Sequence, residues 1–351
     1  MIPKQWCDVR PLDAAAMQAA QAHWDGLAKP LRSLGVLEQM VIRLAGITGQ
    51  TNIAPLKKAV LIYCADNGIV EEGVTQTDSS VTAAVAQNFT KGIASINALS
   101  RVAGADVCPV DIGIASELNC PGLMKRKVAY GTKNFAKEPA MTREMATQAI
   151  QTGIDLVREK QQEGYTLLVT GEMGIGNTTA SSAVFAALEG VDPEQVTGRG
   201  AGLTQAGVQH KIQVIRDALA LHRPDAGDVI DVLAKVGSLD LCGIAGTFLG
   251  GAVYRIPVLI DGFISAVAAN CAVRLVPACR DFLFATHCSA EPAGKMALDA
   301  LGMQACLQCG MFLGEGTGGV IGAKLFDFAL AAYGEIADFT KAAVEAYELL
   351  E

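Results

Sequence analysis

The sequence predicts an α/β protein with a doubly wound, mostly parallel, Rossmann-like sheet and a small helical domain built from both chain ends. Five short apolar runs have strand length, and each ends in small or acidic residues. Most of these runs are followed by a helix-like stretch. Continuous apolar runs are typical of strands covered on both faces, and their alternation with helices indicates a parallel sheet.

The five predicted strands lie in the middle and C-terminal parts of the chain. They fall within residues 58–68 (KAVLIYCADNG), 106–114 (DVCPVDIGI), 165–179 (YTLLVTGEMGIGNTT), 256–263 (IPVLIDGF) and 282–291 (FLFATHCSAE). In such sheets ligands bind at the carboxyl ends of the strands. The side chains at those ends are Asp66, Asp111, Glu172, Asp261 and Ser289.

Helical patterns occupy both ends of the chain. An Ala- and Gln-rich stretch, an amphipathic stretch and a C-terminal stretch cover residues 13–30, 33–49 and 324–351. We therefore expect a small helical domain of residues 1–50 with 325–351. Residues 51–324 would form the large α/β catalytic domain.

Composition excludes several classes of protein. Of 351 residues, 51% are hydrophobic and 18% are charged, with a net charge of −8. Such a chain can bury a large core and hide further surface in an oligomer. No Lys/Arg cluster suggests a nucleic-acid partner. The most apolar region, residues 241–275, is interrupted by charges before any run reaches the ~18 residues of a membrane span.

The cysteines indicate the compartment. Ten cysteines without regular spacing predict reduced thiols in the cytoplasm. No apolar signal segment begins the chain, which agrees with this expectation. Only Cys306 and Cys309 form a CxxC pair, and without a second pair we expect buried thiols and no zinc site.

A glycine-rich turn links the third predicted strand to a helix. Gly174 and Gly176 allow the backbone to approach a ligand, and Asn177 and Thr178 supply capping oxygens and N–H groups. A helix N-terminus of this kind attracts anions, although similar turns also serve packing alone. No P-loop motif is present, and no GxGxxG lies in the first strand-to-helix turn.

Two glutamates stand between glycines and could form a catalytic pair. Glu172 lies in the turn just described, and Glu315 lies in FLGEGTGGVIG, residues 312–322. Paired acids suit proton transfer or stabilisation of a cationic, sugar-like transition state, whereas the alternative is that both cap loops and face solvent. Apolar neighbours would raise the pKa of Glu315 and make it the better general base.

Two further side chains have open interpretations. Lys211 is predicted to begin a helix beside TGRGAGL, residues 197–203, where it could meet a phosphate; otherwise it is a helix-surface lysine. His287, at a strand end, is expected to be a satisfied hydrogen-bonding residue.

Seven segments in order resemble the nicotinate-nucleotide–dimethylbenzimidazole phosphoribosyltransferase family. They are LAKPLRSLGVLE, CADNGIVEEGV, GEMGIGNTT, DVLAKVGSLDLCGIAG, PVLIDGF, HCSAE and LGEGTGG. The resemblance implies transfer of phosphoribose from nicotinate mononucleotide to an aromatic lower-ligand base in cobamide (vitamin B12) biosynthesis. The ring of nicotinate mononucleotide is a pyridinium while it is bonded to the ribose; it leaves as nicotinate with a neutral ring nitrogen, and an α-riboside phosphate forms with inversion. No metal or cofactor is implied, and the family is dimeric, as a homodimer or with a paralogous subunit.

The resemblance also implies residue roles. Glu315 would accept the proton of the acceptor, and Glu172 would support it. The nucleotide and its phosphate would meet Gly174, Gly176, Asn177, Thr178, Gly200, Lys211, Asp261 and Ser289. The acceptor pocket would contain Thr77, Val81, Val85, Met173 and Leu313.

Four positions depart from the family pattern. Asn67 stands in place of His, Arg32 in place of Gly, and Thr77 in place of Ser. Val85 stands where dimethylbenzimidazole users often have Gln. Loss of that amide predicts a more apolar pocket, which suits an acceptor without a second ring nitrogen; the hypothesis is that the acceptor is a phenol or cresol instead of a benzimidazole. Two alternatives remain: a non-catalytic nucleotide-binding paralogue, and a nicotinamide-dependent dehydrogenase.

Overall fold

The computed structural model describes residues 2–347 and contains a six-stranded, all-parallel sheet with helices packed against it. The strand order is β3-β2-β1-β4-β5-β6. The strands are β1 Lys58–Ala65, β2 Ala105–Gly113, β3 Met124–Lys125, β4 Leu167–Met173, β5 Val258–Ile260 and β6 Leu283–Ala285. The predicted fold class is confirmed, and all five predicted strands are present. The sixth strand, β3, has only two residues, one of them a lysine, so no apolar run in the sequence predicts it.

The centre of the sheet explains where the site lies. Every residue of β1 is buried, and β1 pairs with β2 on one side and with β4 on the other. The strand order reverses between β1 and β4, which opens a crevice at their carboxyl ends. Glu172, near the end of β4, is in register with Tyr63 of β1.

Fourteen α-helical segments lie within the described residues. They are α1 Ala14–Asp25, α2 Val36–Thr48, α3 Ser80–Lys91, α4 Ser95–Ala103, α5 Arg143–Gln162, α6 Asn177–Glu189, α7 Pro193–Val196, α8 Gln205–His222, α9 Val229–Val236, α10 Leu239–Tyr254, α11 Phe263–Leu275, α12 Gly294–Ala300, α13 Thr317–Glu335 and α14 Phe339–Ala342. None of the helices in residues 2–347 combines the length and apolar character that a membrane crossing requires.

A small apolar cluster lies apart from the main core. It joins α1 and α2 to the C-terminal half of α13, where the rings of Trp24 and Tyr333 meet edge to face at 5.0 Å. The main core includes the first half of α13, through Phe326. Helix α13 therefore runs from the end of the sheet into the cluster formed by the chain's two ends.

The predicted C-terminal helix is interrupted. Helix α13 ends at Glu335, and Asp338 caps the short α14 by accepting a hydrogen bond from the N–H of Lys341. Between the two helices the chain bridges to the segment after α1, because the N–H of Ala28 donates to the carbonyl of Ala337. The prediction of a single helix over residues 324–351 was therefore wrong for 336–338 and for 343–347. Residues 348–351 lie outside the described part of the chain.

Candidate active site

A cavity of about 760 Å³ opens at the carboxyl ends of β4, β5 and β6. The turn before α6, the loop before α8 and the segment 310–315 form its walls. The sequence-predicted residues that line it are Thr77, Val85, Glu172, Met173, Gly174, Gly176, Asn177, Thr178, Gly200, Lys211, Asp261, Ser289, Leu313 and Glu315. Val81 lies on α3 but is not among the lining residues, so the structure does not bring it to the site.

Several lining residues were missed as site residues by the sequence reasoning. The chemically significant ones are Gln76, Arg199, His287, Glu291, Met311 and Phe312. Each of them stands within one or two residues of a predicted site residue. Extending each motif by that distance would have included them.

Glu315 lies in a tight turn directly before α13. Its φ of +61° is in the left-handed region, which residues other than glycine rarely adopt. The half-buried carboxylate accepts a hydrogen bond at Oε2 from the N–H of Ile96, in the first turn of α4, at 3.0 Å. Burial raises the pKa of Glu315, the Ile96 N–H opposes this shift, and the charge of Asp261 adds to it.

Asp261 holds this turn in place. Its two carboxylate oxygens accept hydrogen bonds from the N–H groups of Gly316 and Gly319, at 3.1 and 2.9 Å, and so cap α13. Burial raises the pKa of Asp261. The predicted carboxylate at the end of β5 therefore positions the backbone beside Glu315.

Glu172 lies beside the turn that carries Glu315. Its Oε1 lies 3.4 Å from the backbone N of Glu315, and its Oε2 accepts a hydrogen bond from the Asn177 amide. Gly314, at φ +85°, leaves room for it, since a Cβ there would overlap Glu172 Oε1. Burial, followed by the charges of Asp240 and Asp261, raises the pKa of Glu172 to about 8.

His287 differs from its predicted role as a satisfied residue. Its Nδ1 is buried without a hydrogen-bond partner in the described part of the chain, 4.0 Å from Asp261 Oδ1. A Cβ at Gly318 would overlap this ring at Nδ1. Gly318 therefore allows α13 to pack closely against the ring.

Lys211 lies at the end of the cavity away from the 310–315 segment. It lies inside α8, not at its beginning, and its side chain is buried, so the prediction of a helix start and the surface alternative were both wrong. Its Nζ donates to Thr178 Oγ1 at 2.8 Å. Burial lowers the pKa of Lys211 to about 8, opposed by the charge of Glu291.

Backbone groups complete this end. Gly176 precedes α6 with a φ of +91°, and no side chain caps the helix. Gly200, at φ +52°, lies where a Cβ would stand 3.0 Å from Thr178 Oγ1 and 3.6 Å from Lys211 Nζ. A helix N-terminus and a buried lysine thus meet at one point, which is an arrangement suited to a phosphate.

The region between α3 and the 310–315 segment is mainly apolar. Val85, Met173 and Ile175 line it from the protein side, while Phe312 and Leu313 are 65% and 57% exposed. Thr77 is exposed at its edge. The space suits a flat apolar ring.

Two of the departures from the family pattern have structural consequences. Arg32 adopts a φ of +60°, a conformation that glycine takes without steric cost. Asn67 is buried, and its amide donates to the carbonyl of Ile175 at 3.2 Å, which supports the turn before α6 from behind.

The arrangement is chemically asymmetric. One end offers N–H groups and a lysine, the other is apolar, and the middle carries the carboxylates of Glu172, Asp261 and Glu315. Such a site can bind a phosphate, remove a proton from an aromatic guest, and stabilise positive charge between the two.

The chain is similar to known proteins over nearly its whole length. A family model described as phosphoribosyltransferase matches residues 9–344. A relative in Ruminiclostridium cellulolyticum is 48% identical over 98% of this chain and 97% of its own length. One in Acetivibrio thermocellus is 49% identical over 95% of each chain. Both are named nicotinate-nucleotide–dimethylbenzimidazole phosphoribosyltransferase.

Solved structures agree. The crystal structure of CobT from Thermus thermophilus superposes with a TM-score of 0.90 at 40% identity, covering 95% of this chain and 100% of that one. A structure of the phosphoribosyltransferase named above, from the same organism, gives a TM-score of 0.88 at 40% identity, covering 95% and 99% of the two chains.

Proposed function

This chain belongs to the nicotinate-nucleotide–dimethylbenzimidazole phosphoribosyltransferase family, and we propose that its cavity brings nicotinate mononucleotide and an aromatic lower-ligand base together beside Glu315. The chain is a phosphoribosyltransferase of cobamide biosynthesis, which decides against the dehydrogenase alternative. The observation that carries the proposed residue roles is the position of the Glu315 carboxylate, between an apolar region and a cluster of acids.

The nucleotide would bind with its phosphate at the Lys211 end. The Lys211 ammonium and the N–H of Thr178, in the first turn of α6, offer hydrogen bonds to phosphate oxygens. Thr178 and Ser289 add hydroxyl groups to the lining of the cavity. This placement directs the ribose and its pyridinium toward Glu172.

Glu315 would act as the general base. The acceptor's ring lies against Val85 and Met173, and its nitrogen or oxygen attacks the anomeric carbon of the ribose. The C–N bond to nicotinate breaks as the new bond forms, and the acceptor proton passes to the Glu315 carboxylate. The raised pKa of Glu315 improves it as a base relative to an exposed glutamate.

Glu172 and Asp261 would stabilise the positive charge. The substrate's ring is cationic before transfer, and the ribose becomes oxocarbenium-like during it. Asp261 and the ionised form of Glu172 are held in fixed positions away from bulk water, so they favour that charge more than water does. Retention of both glutamates supports a catalytic subunit over a non-catalytic paralogue.

The acceptor is proposed as dimethylbenzimidazole, with a phenol or cresol as the second candidate. The relatives' names support the first. The second is favoured by Val85, which places a methyl-bearing side chain, without a hydrogen-bonding group, on the cavity wall.

The test is incubation with nicotinate mononucleotide and each acceptor, followed by detection of nicotinate and the riboside phosphate. Turnover with neither acceptor would overturn the proposal, and turnover of benzimidazole alone would end the phenolic alternative. V85Q should raise the benzimidazole-to-phenol ratio of kcat/KM about tenfold by supplying one hydrogen bond, whereas V85L should not.

We further propose a dimer, homomeric or with a paralogue, acting in the cytoplasm. Exposed apolar side chains such as Ile93, Val102, Phe312 and Leu313 support a protein–protein contact. All ten cysteines are free, which suits a reducing compartment. Sedimentation of the purified chain alone tests the homodimer.

A further inference from the structure

Asp240 is a buried carboxylate to which the proposed reaction assigns no role. It lies in the first turn of α10, has no exposed surface, and does not line the cavity. Its Oδ1 has no hydrogen-bond partner within residues 2–347. Burying a carboxylate is costly unless it is paired and hydrogen-bonded or takes up a proton.

One amide joins Asp240 to Glu172. The Nδ2 of Asn177 donates to Glu172 Oε2 and also to Asp240 Oδ2, the latter at 2.7 Å. An amide nitrogen carries two hydrogens, so both are used by the two carboxylates. Asn177 therefore holds Glu172 at the cavity wall with Asp240 directly behind it.

The charges around this pair are almost all negative or neutral. Glu172 faces Asp240 on α10 and Asp261 after β5, while Asp240 also lies near the thiols of Cys64 and Cys242. Neither carboxylate takes part in an ion pair within the described residues. Burial raises the pKa of Asp240, opposed by the polar groups of Ser238, Asn177 and Leu241, whereas the charge of Asp240 adds to the raised pKa of Glu172.

We propose that Asp240 is a positioning residue: through the shared Asn177 amide it fixes the orientation of Glu172, and through its charge it keeps one proton on the carboxylate pair. The idea rests on the proposed function, in which Glu172 faces the cationic substrate. Its consequence is that the pH at which Glu172 ionises is set from outside the cavity.

The first experiment is the pH profile of kcat/KM for D240N. The new amide can still accept from Asn177 but has no charge, so Glu172 should ionise more readily and the acidic limb should move down by about one pH unit or more. D240A also removes the acceptor, and kcat should fall further than in D240N. D228N, which removes the acidic cap of α9 outside the cavity lining, should leave the limb in place. A D240N profile with an unmoved limb would reduce Asp240 to a structural role.

A second measurement needs no turnover. The infrared spectrum of the wild type at pH 7 should contain a protonated-carboxyl band that weakens in both E172Q and D240N, because the remaining acid is still buried but no longer meets the other's charge. If the wild type is active but shows no such band, or if the band is unchanged in both variants, the Asp240 proposal is overturned and the proposed function stands. If the wild type shows the band but transfers no phosphoribose, the proposed function is overturned, while the carboxylate pair behaves as proposed.

Discussion

At the scale of residues, the Lys211 end of the cavity and its middle, where Glu315 lies, differ in the charge that they can accept. Lys211 is buried beside the Thr178 hydroxyl at the start of α6, so a phosphate would complete the hydrogen bonding of its ammonium group. Glu315 is half-buried and held by one backbone N–H, so it can take up a proton. Phosphate binding and proton uptake are thereby assigned to different parts of one cavity.

The first prediction concerns Glu315. E315Q keeps the size and the contact with the Ile96 N–H but removes the proton acceptor. We expect kcat to fall ~10²–10⁴-fold while calorimetric affinity for nicotinate mononucleotide is kept. E138Q, at an exposed glutamate, is the control and should match the wild type. An unchanged kcat in E315Q would show that another group takes the proton.

At the scale of elements, the turn from 310 to 316 decides how the two glutamates face each other. Asp261 caps α13 and fixes its start, and the left-handed residues before it reverse the chain. The sequence placed Glu315 among glycines, but the direction of the turn follows from the cap supplied by β5.

The second prediction separates backbone strain from crowding in this turn. Gly310 and Gly314 both have positive φ, but a Cβ at Gly310 meets open space while one at Gly314 meets Glu172. G310A and G314A should share a loss of roughly 1 kcal/mol in folding stability. Only G314A should displace Glu172 and lower kcat, by tenfold or more. Equal kinetics in the two variants would refute the crowding argument.

At the scale of the whole molecule, the acid cluster couples stability to pH. The pKa of Glu172 is about 8 in the folded chain against an ordinary value of 4.5, so the folded state binds more protons between these values. Stability contributed by this group is present below about pH 4.5 and is lost as pH rises through about 8.

The third prediction follows from that sign. The wild type should lose thermal stability from about pH 5 to about pH 8, and E172Q should lose less over the same range. Thermal unfolding at several pH values measures the difference, with E138Q keeping the wild-type slope. A steeper decline in E172Q would mean that the sign of the coupling is wrong.

The fourth prediction concerns domain division. We propose that residues 1–50 with 325–351 form a small helical domain, and the separate cluster around Trp24 and Tyr333 supports it. Y333A should destabilise this cluster by about 2–4 kcal/mol and speed hydrogen exchange in α1 and α2 before β1 and β2. F328A removes an exposed ring from the same helix and is the control. Uniform loss of protection across the chain would argue for a single cooperative unit.

The sequence by itself determined the sheet and the candidates for the site. Apolar runs that end in acids reveal parallel strands because both faces of such strands are buried, and glycines around Glu172 and Glu315 mark places where the backbone turns. It could not show that Lys211 is buried or that Asp240 stands behind Glu172. Those facts depend on how α6, α8 and α10 pack across the sheet, and contacts between residues 33 to 143 positions apart leave no local pattern. The tertiary structure alone decided which charges share a cavity, because pKa values and hydrogen bonds depend on distance in space.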